Sequence, residues 1–215
     1  MHFIRLLGLV PALLAGPVLA APMGFSGSWM AMGDFSPNWQ ETFANYALTP
    51  RDAIGFGATY MRSDDKHKQR DFVDLNYTRL LQRWNLPHAQ ANLWFFGGLG
   101  KVRLKDGNRE DYRNMASPGM QFDYETTRVY FAATGRLYRA RDINHDYASV
   151  RAGFSFYEAG YEETQPWLIL EARRMRGLSE KTEITPMLRL INKNYFIEAG
   201  ISTAKQPRFN FMYIF

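Results

Sequence analysis

The residue pattern predicts an all-β chain: an antiparallel transmembrane β-barrel of about twelve strands, with ten as the alternative. Three observations lead there. Segments of about 8–11 residues alternate between apolar and polar side chains, the two-residue period of a strand with one wet and one dry face. Aromatic residues are frequent (12 Tyr, 16 Phe and 5 Trp), yet mean hydropathy is negative, and no apolar run beyond the first twenty residues approaches a helical membrane span. The chain also opens on a processing signal and closes on an alternating aromatic strand.

The opening segment has a short positive start, Met1–Arg5, and an apolar run, Leu6–Leu19, broken by Pro11 and by Gly16-Pro17. Val18-Leu19-Ala20 offers the modest side chains that a signal peptidase reads, which places cleavage between Ala20 and Ala21. A spanning helix would need roughly 20 apolar residues free of such breakers. Residues 1–20 are therefore expected to be a signal peptide and 21–215 the barrel.

The chain has no cysteine, which removes a lipid-modified cysteine anchor, disulfides, thiolate metal sites and cysteine nucleophiles. Losing residues 1–20 takes away one Arg, so the formal charge of +5 becomes +4. Lys and Arg alternate with Asp and Glu along most of the chain. Nucleic-acid binding needs basic charge gathered on one face, so no nucleic-acid partner is expected.

The strands follow in order. Weaker ones run through Trp29–Asp34 and Glu41–Leu48. Ile54, Phe56, Ala58 and Tyr60 share one face, then Val73, Leu75 and Tyr77, then Leu93, Phe95, Gly97 and Leu99. Met120, Phe122 and Tyr124 oppose Gln121, Asp123 and Glu125; Val129, Phe131, Ala133, Gly135 and Leu137 oppose Tyr130, Thr134, Arg136 and Tyr138. Val150, Ala152 and Phe154 oppose Arg151 and Ser155; Leu168 and Leu170 oppose Glu171 and Arg173; Ile184, Leu188 and Leu190 oppose Arg189. Tyr195–Ser202 supplies the penultimate strand.

The last strand, Arg208–Phe215, puts Phe209, Phe211, Tyr213 and Phe215 on one face and ends on Phe. It resembles the C-terminal signal strand of Gram-negative outer-membrane β-barrels. That resemblance implies that these four aromatics act as a membrane-insertion signal, that the barrel-insertion machinery and outer-membrane lipid are partners, and that the mature protein resides in the outer membrane. Connections point the same way. Thr49–Asp52, Asn85–His88, Glu125–Thr127 and Asn192–Asn194 are tight, with Ala159–Thr164 somewhat longer, whereas Ser63–Gln69, Lys105–Ser117, Arg141–Asp146 and Arg176–Lys181 read as longer charged loops. Short turns at one end and longer loops at the other are the outer-membrane pattern. Tyr46, Trp84, Tyr124, Trp167, Tyr195 and Phe215 are expected at one membrane interface, and Trp39, Tyr60 and Tyr138 at the other.

Alternation also names the lumen. Glu41, Asp74, Asn76, Gln121, Asp123, Arg136, Arg151, Glu171, Arg173, Arg189, Glu198 and Asn210 face inward, acids mainly on early strands and bases on later ones. This set suits a polar pathway for small solutes with a transverse field, a small channel or solute-uptake protein. It equally suits ion pairs filling a closed barrel with a ligand-binding or structural role.

A hydrolase is the weaker alternative. His145 and Ser149 share a face but lie ~13 Å apart along one strand at ~3.3 Å per residue, whereas a base works at about 3 Å. Asp64-Asp65 with His67, and Asp142, His145 and Asp146, only loosely resemble the loop acids and His of omptin proteases. As a metal site, Asp142, His145 and Asp146 on one loop are poorly preorganised. Met30 and Met32 are better explained by packing than as soft ligands. No cofactor, metal or catalytic residue is assigned; oligomeric state stays open.

Overall fold

The computed structural model describes residues 21–160, 162–179 and 181–215; the expected signal peptide over 1–20 lies outside them. The strands are β1 (Trp29–Ser36), β2 (Trp39–Ala47), β3 (Asp52–Arg62), β4 (Lys68–Leu86), β5 (Ala89–Asp106), β6 (Arg109–Ala116), β7 (Gly119–Glu125), β8 (Val129–Ala140), β9 (Ile143–Ser155), β10 (Gln165–Arg176), β11 (Glu183–Asn192), β12 (Tyr195–Ile201) and β13 (Pro207–Ile214). Every neighbouring pair is antiparallel. Neighbouring strands pair around the sheet, β4 with β5 among them, and the pairing of β1 with β13 closes the ring.

Thirteen strands make twelve staves. β6 and β7 are two lengths of one stave, interrupted at Ser117-Pro118: β5 pairs with β6 from Leu99 to Asp106 and with β7 from Gln90 to Phe96. Proline has no N–H to give a ladder, and the break falls at that point. Closure itself follows from the solvent, since in hydrocarbon every backbone N–H and C=O needs a partner within the sheet.

An apolar belt covers the outside. Phe56, Leu75, Leu99, Phe131, Val150, Leu170, Leu188 and Phe209 are all exposed, each on the face opposite the interior. β1 begins and β13 ends at one end of the barrel, where Trp29 and Phe215 exchange backbone hydrogen bonds; we call this the terminal end. At the far end the outward side chains become polar, with Lys101, Arg103 and Lys105 on β5 and Arg174 and Arg176 on β10.

Three sequence expectations are corrected here. Lys105–Ser117 is not a loop: β5 and β6 continue as a ladder to Asp106 and Arg109, turning at Gly107-Asn108. Arg141–Asp146 likewise contracts to a turn at Arg141-Asp142. These stretches stand above the belt, so both faces meet water and alternation loses its contrast. The expected length asymmetry between the two ends therefore largely disappears. Finally, Trp39, Tyr138 and Trp167 are not interfacial aromatics; all three are buried inside, because part of the interior is apolar.

Two interior clusters occupy the ends of the lumen. At the far end Trp39 stacks on Tyr147 with ring centroids 5.2 Å apart and meets Tyr138 edge-on at 5.9 Å. Phe72, Met61, Val102, Met115 and Leu178 belong to the same cluster. Above it the Asp64 N–H donates to the Leu178 carbonyl (3.2 Å), and the Ser179 hydroxyl donates to the Asp64 carboxylate (2.9 Å), tying turns from opposite sides of the ring across the mouth. At the terminal end the chain ahead of β1 enters the barrel. Ala21 and Met23 pack against Ala47, Ala53, Leu80 and Trp94, and Asn45 Nδ2 donates to the Pro22 carbonyl at 2.9 Å.

Candidate functional site

Between these clusters lies a cavity of about 160 Å3. Its polar lining includes Asp34, Glu41, Asp74, Asn76, Arg136, Arg151 and Asn210; Phe43, Phe96 and Tyr130 add aromatic surface. Pro22 reaches it from one end, Trp39 and Tyr138 from the other.

One wall is a continuous ionic chain. Glu183 accepts from Arg173 Nε (2.9 Å), and Arg173 lies 3.9 Å from Asp34. Asp34 takes a two-pronged contact from Arg208 (2.9 and 2.6 Å), whose Nη2 also reaches Glu171 at 3.3 Å. Glu171 accepts from Arg151 Nε at 2.9 Å, and Arg151 Nη2 donates to Glu198, also at 2.9 Å. Glu198 closes the run by accepting from Arg189 Nε and from Asn210 Nδ2 (2.6 Å). The guanidinium of Arg189 also lies over Tyr130, 4.5 Å from its centroid, and over Phe196 at 5.0 Å. Acid and base alternate along the entire run, as buried charges require if each is to keep a partner.

The facing wall is built differently. Arg136 donates to Glu41, lies 3.6 Å from Asp74, and donates to Ser117 Oγ at 3.0 Å. Asp74 fits because its strand neighbours are glycines. A Cβ on Gly98 would fall 1.5 Å from Asp74 Oδ2, and one on Gly57 would fall 2.8 Å from Oδ1. Lower on this wall Asp123 accepts from Asn92 Nδ2 and Trp94 Nε1, both at 2.7 Å, and from Gln121 Nε2 at 3.3 Å.

Of the residues named from sequence, Glu41, Asp74, Asn76, Arg136 and Arg151 line the cavity, together with Gln121 and Asn210. Glu171, Arg173, Arg189 and Glu198 lie in the ionic chain and Asp123 in its own hydrogen-bond cluster. Sequence reasoning missed Asp34, Glu125, Glu183 and Arg208. The signal was present for three of them, since Glu125 already stood on the face of Gln121 and Asp123. Asp34 shares a face with Met30 and Met32, and Arg208 is two residues from inward-facing Asn210. Met30 itself packs with Phe196, Met212 and Ile214. His145 and Ser149 both point inward from β9 and are buried. Phe209, Phe211, Tyr213 and Phe215 alternate with the interior Arg208, Asn210 and Met212.

No protein-family model matches the chain, and no curated protein sequence matches it. Its structure is similar to LpxR from Salmonella typhimurium at 8% identity, covering 86% of this chain and 99% of that one with a TM-score of 0.51. It also superposes on KdgM porin (13% identity, 86% and 98% covered, TM-score 0.48). A third is OmpTdeltaL8, a loop L8 deletion mutant of OmpT, an outer membrane protein of Vibrio cholerae (8% identity, 88% and 97% covered, TM-score 0.31). At such identity the likeness to LpxR shows a shared fold alone, and the two lower scores add no argument.

Proposed function

We propose that this chain is exported, inserted into an outer membrane, and acts as a small channel for solute uptake with a charged lumen. The observation that carries the reading is the charged cavity between the two end clusters. A barrel needing only stability has little use for so many interior ions, because well-packed apolar residues in place of a buried ion pair are often neutral or stabilising. Arg189 Nη2, Arg208 Nη1 and Asn210 Oδ1 are buried without a protein hydrogen-bond partner, and polar sites of this kind are satisfied by water. A wet, charged interior is what small polar solutes cross.

The outward aromatics of β13 support a role in recognition by the insertion machinery, and the apolar belt supports outer-membrane lipid as the surrounding solvent. The second reading, a closed barrel with a ligand-binding or structural role, is favoured by the Trp39–Tyr138–Phe72 cluster at the far mouth. Planar-bilayer recording separates them. The channel reading expects discrete conductance steps that grow in Trp39→Ala. Baseline current in both proteins, with the barrel folded by circular dichroism, would abandon it for the closed barrel.

A further inference from the structure

We infer that the pathway selects cations and that the wall running from β4 to β8 sets the preference. This rests on the channel reading above and names its substrate class. Along the opposite wall, from Glu183 through Arg208 to Arg189, each carboxylate meets a guanidinium, so that side is balanced. On the β4–β8 wall the balance fails. Arg136 is shared between Asp74 on β4 and Glu41, which reaches it from β2 across the lumen. Below it, β7 turns Gln121, Asp123 and Glu125 inward at alternate positions, spaced by ~7 Å along the strand, leading toward the terminal mouth.

Asp123 is held by neutral donors only, so its charge is hydrogen-bonded without being cancelled. Arg83, at that mouth, spends its Nε on Asn92 (2.8 Å). Glu125 is 6% exposed and has no hydrogen bond or contact ion pair among the described residues, so its carboxyl supplies acceptor oxygen rather than charge. Two cavity-lining oxygens also receive no protein hydrogen bond: Asp74 Oδ2, which faces Arg136 Nη2 at 3.6 Å, and Asn210 Oδ1, on residues 5% and 3% exposed. Surplus acceptor oxygens and surplus negative charge replace the hydration shell of a cation and repel an anion. The aromatic surface of Phe43, Phe96 and Tyr130 favours the same sign, since a ring face is negative. The positive formal charge of the whole chain does not oppose this, because many of its cations, among them Lys101, Arg103 and Arg174, point outward.

The test is the reversal potential of the refolded protein in an uncharged bilayer under a KCl gradient. Potassium is expected to permeate several-fold better than chloride, with Asp74→Asn, Asp123→Asn and Glu41→Gln each moving the reversal potential toward zero. Glu41→Gln leaves Arg136 with Asp74, so it reports on selectivity even if the other two variants misfold. Arg174→Gln, outside the barrel, should leave the potential unchanged. Conductance that reverses at zero or on the chloride side overturns cation selection and leaves the channel standing. No conductance at all overturns the channel, and cation selection with it.

Discussion

Glu198 shows how single side chains carry this interior. Its carboxylate, with no exposed side-chain surface, receives Arg189, Arg151 and Asn210 together. Removing one member of a buried ionic group costs more than the group contributes, because the partners stay buried and uncompensated, typically by about 3–5 kcal/mol. Glu198→Gln is therefore expected to lower the unfolding free energy of the barrel in lipid vesicles, read from urea titration, by an amount in that range. Glu41→Gln leaves Arg136 with Asp74 and should cost clearly less. Equal free-energy losses for the two variants would remove the hub role. The sequence marked Glu198 as inward but not as a hub, since alternation assigns a face and says nothing about which staves meet across the lumen.

Among the elements, the divided stave is the weak one. β4, with 19 residues, is paired with β5 from Lys68 to Leu86, apart from a bulge at Leu81, and with β3 from Gln69 to Arg79. β6 has β5 on one edge and, on the other, only the single pairing of Ala116 with Arg139, backed by Arg113, which donates to the Arg141 carbonyl and the Asp142 carboxylate. An edge with few ladder bonds opens locally at low free energy. Hydrogen exchange should therefore replace the amides of Arg109–Met115 well before those of Phe72–Tyr77; uniform protection would show that the seam is closed in solution. Strand order, strand number and inward faces were legible wherever a strand crosses the belt, as at Val150–Phe154, because lipid on one side and lumen on the other impose opposite chemistry on neighbours. β6 was hidden for the converse reason, being polar on both faces. The burial of Trp39 and Tyr138 was hidden because an aromatic on the inward face looks the same in sequence whether it caps a lumen or borders a membrane.

For the whole molecule, the belt makes a quantitative demand. Leu170 is 53% exposed on the outward face of β10, between Leu168 and Ala172. A lipid-facing charge near the bilayer midplane costs about 2–4 kcal/mol. Leu170→Arg should lose that much folding free energy in bilayers, whereas Arg174→Leu, beyond the belt, should not destabilise. Equal tolerance of both changes would mean that the outer face is not lipid-embedded.

The entry of Ala21 and Met23 into the terminal mouth has a practical side. A purification tag or fluorophore joined close to Ala21 would compete with Trp94 and Leu80 for one small opening, and a fusion at Phe215 would crowd the bonds it shares with Trp29. The exposed bend at Thr203–Lys205 lies at the other rim, away from both, and is where an added label would leave the lumen undisturbed.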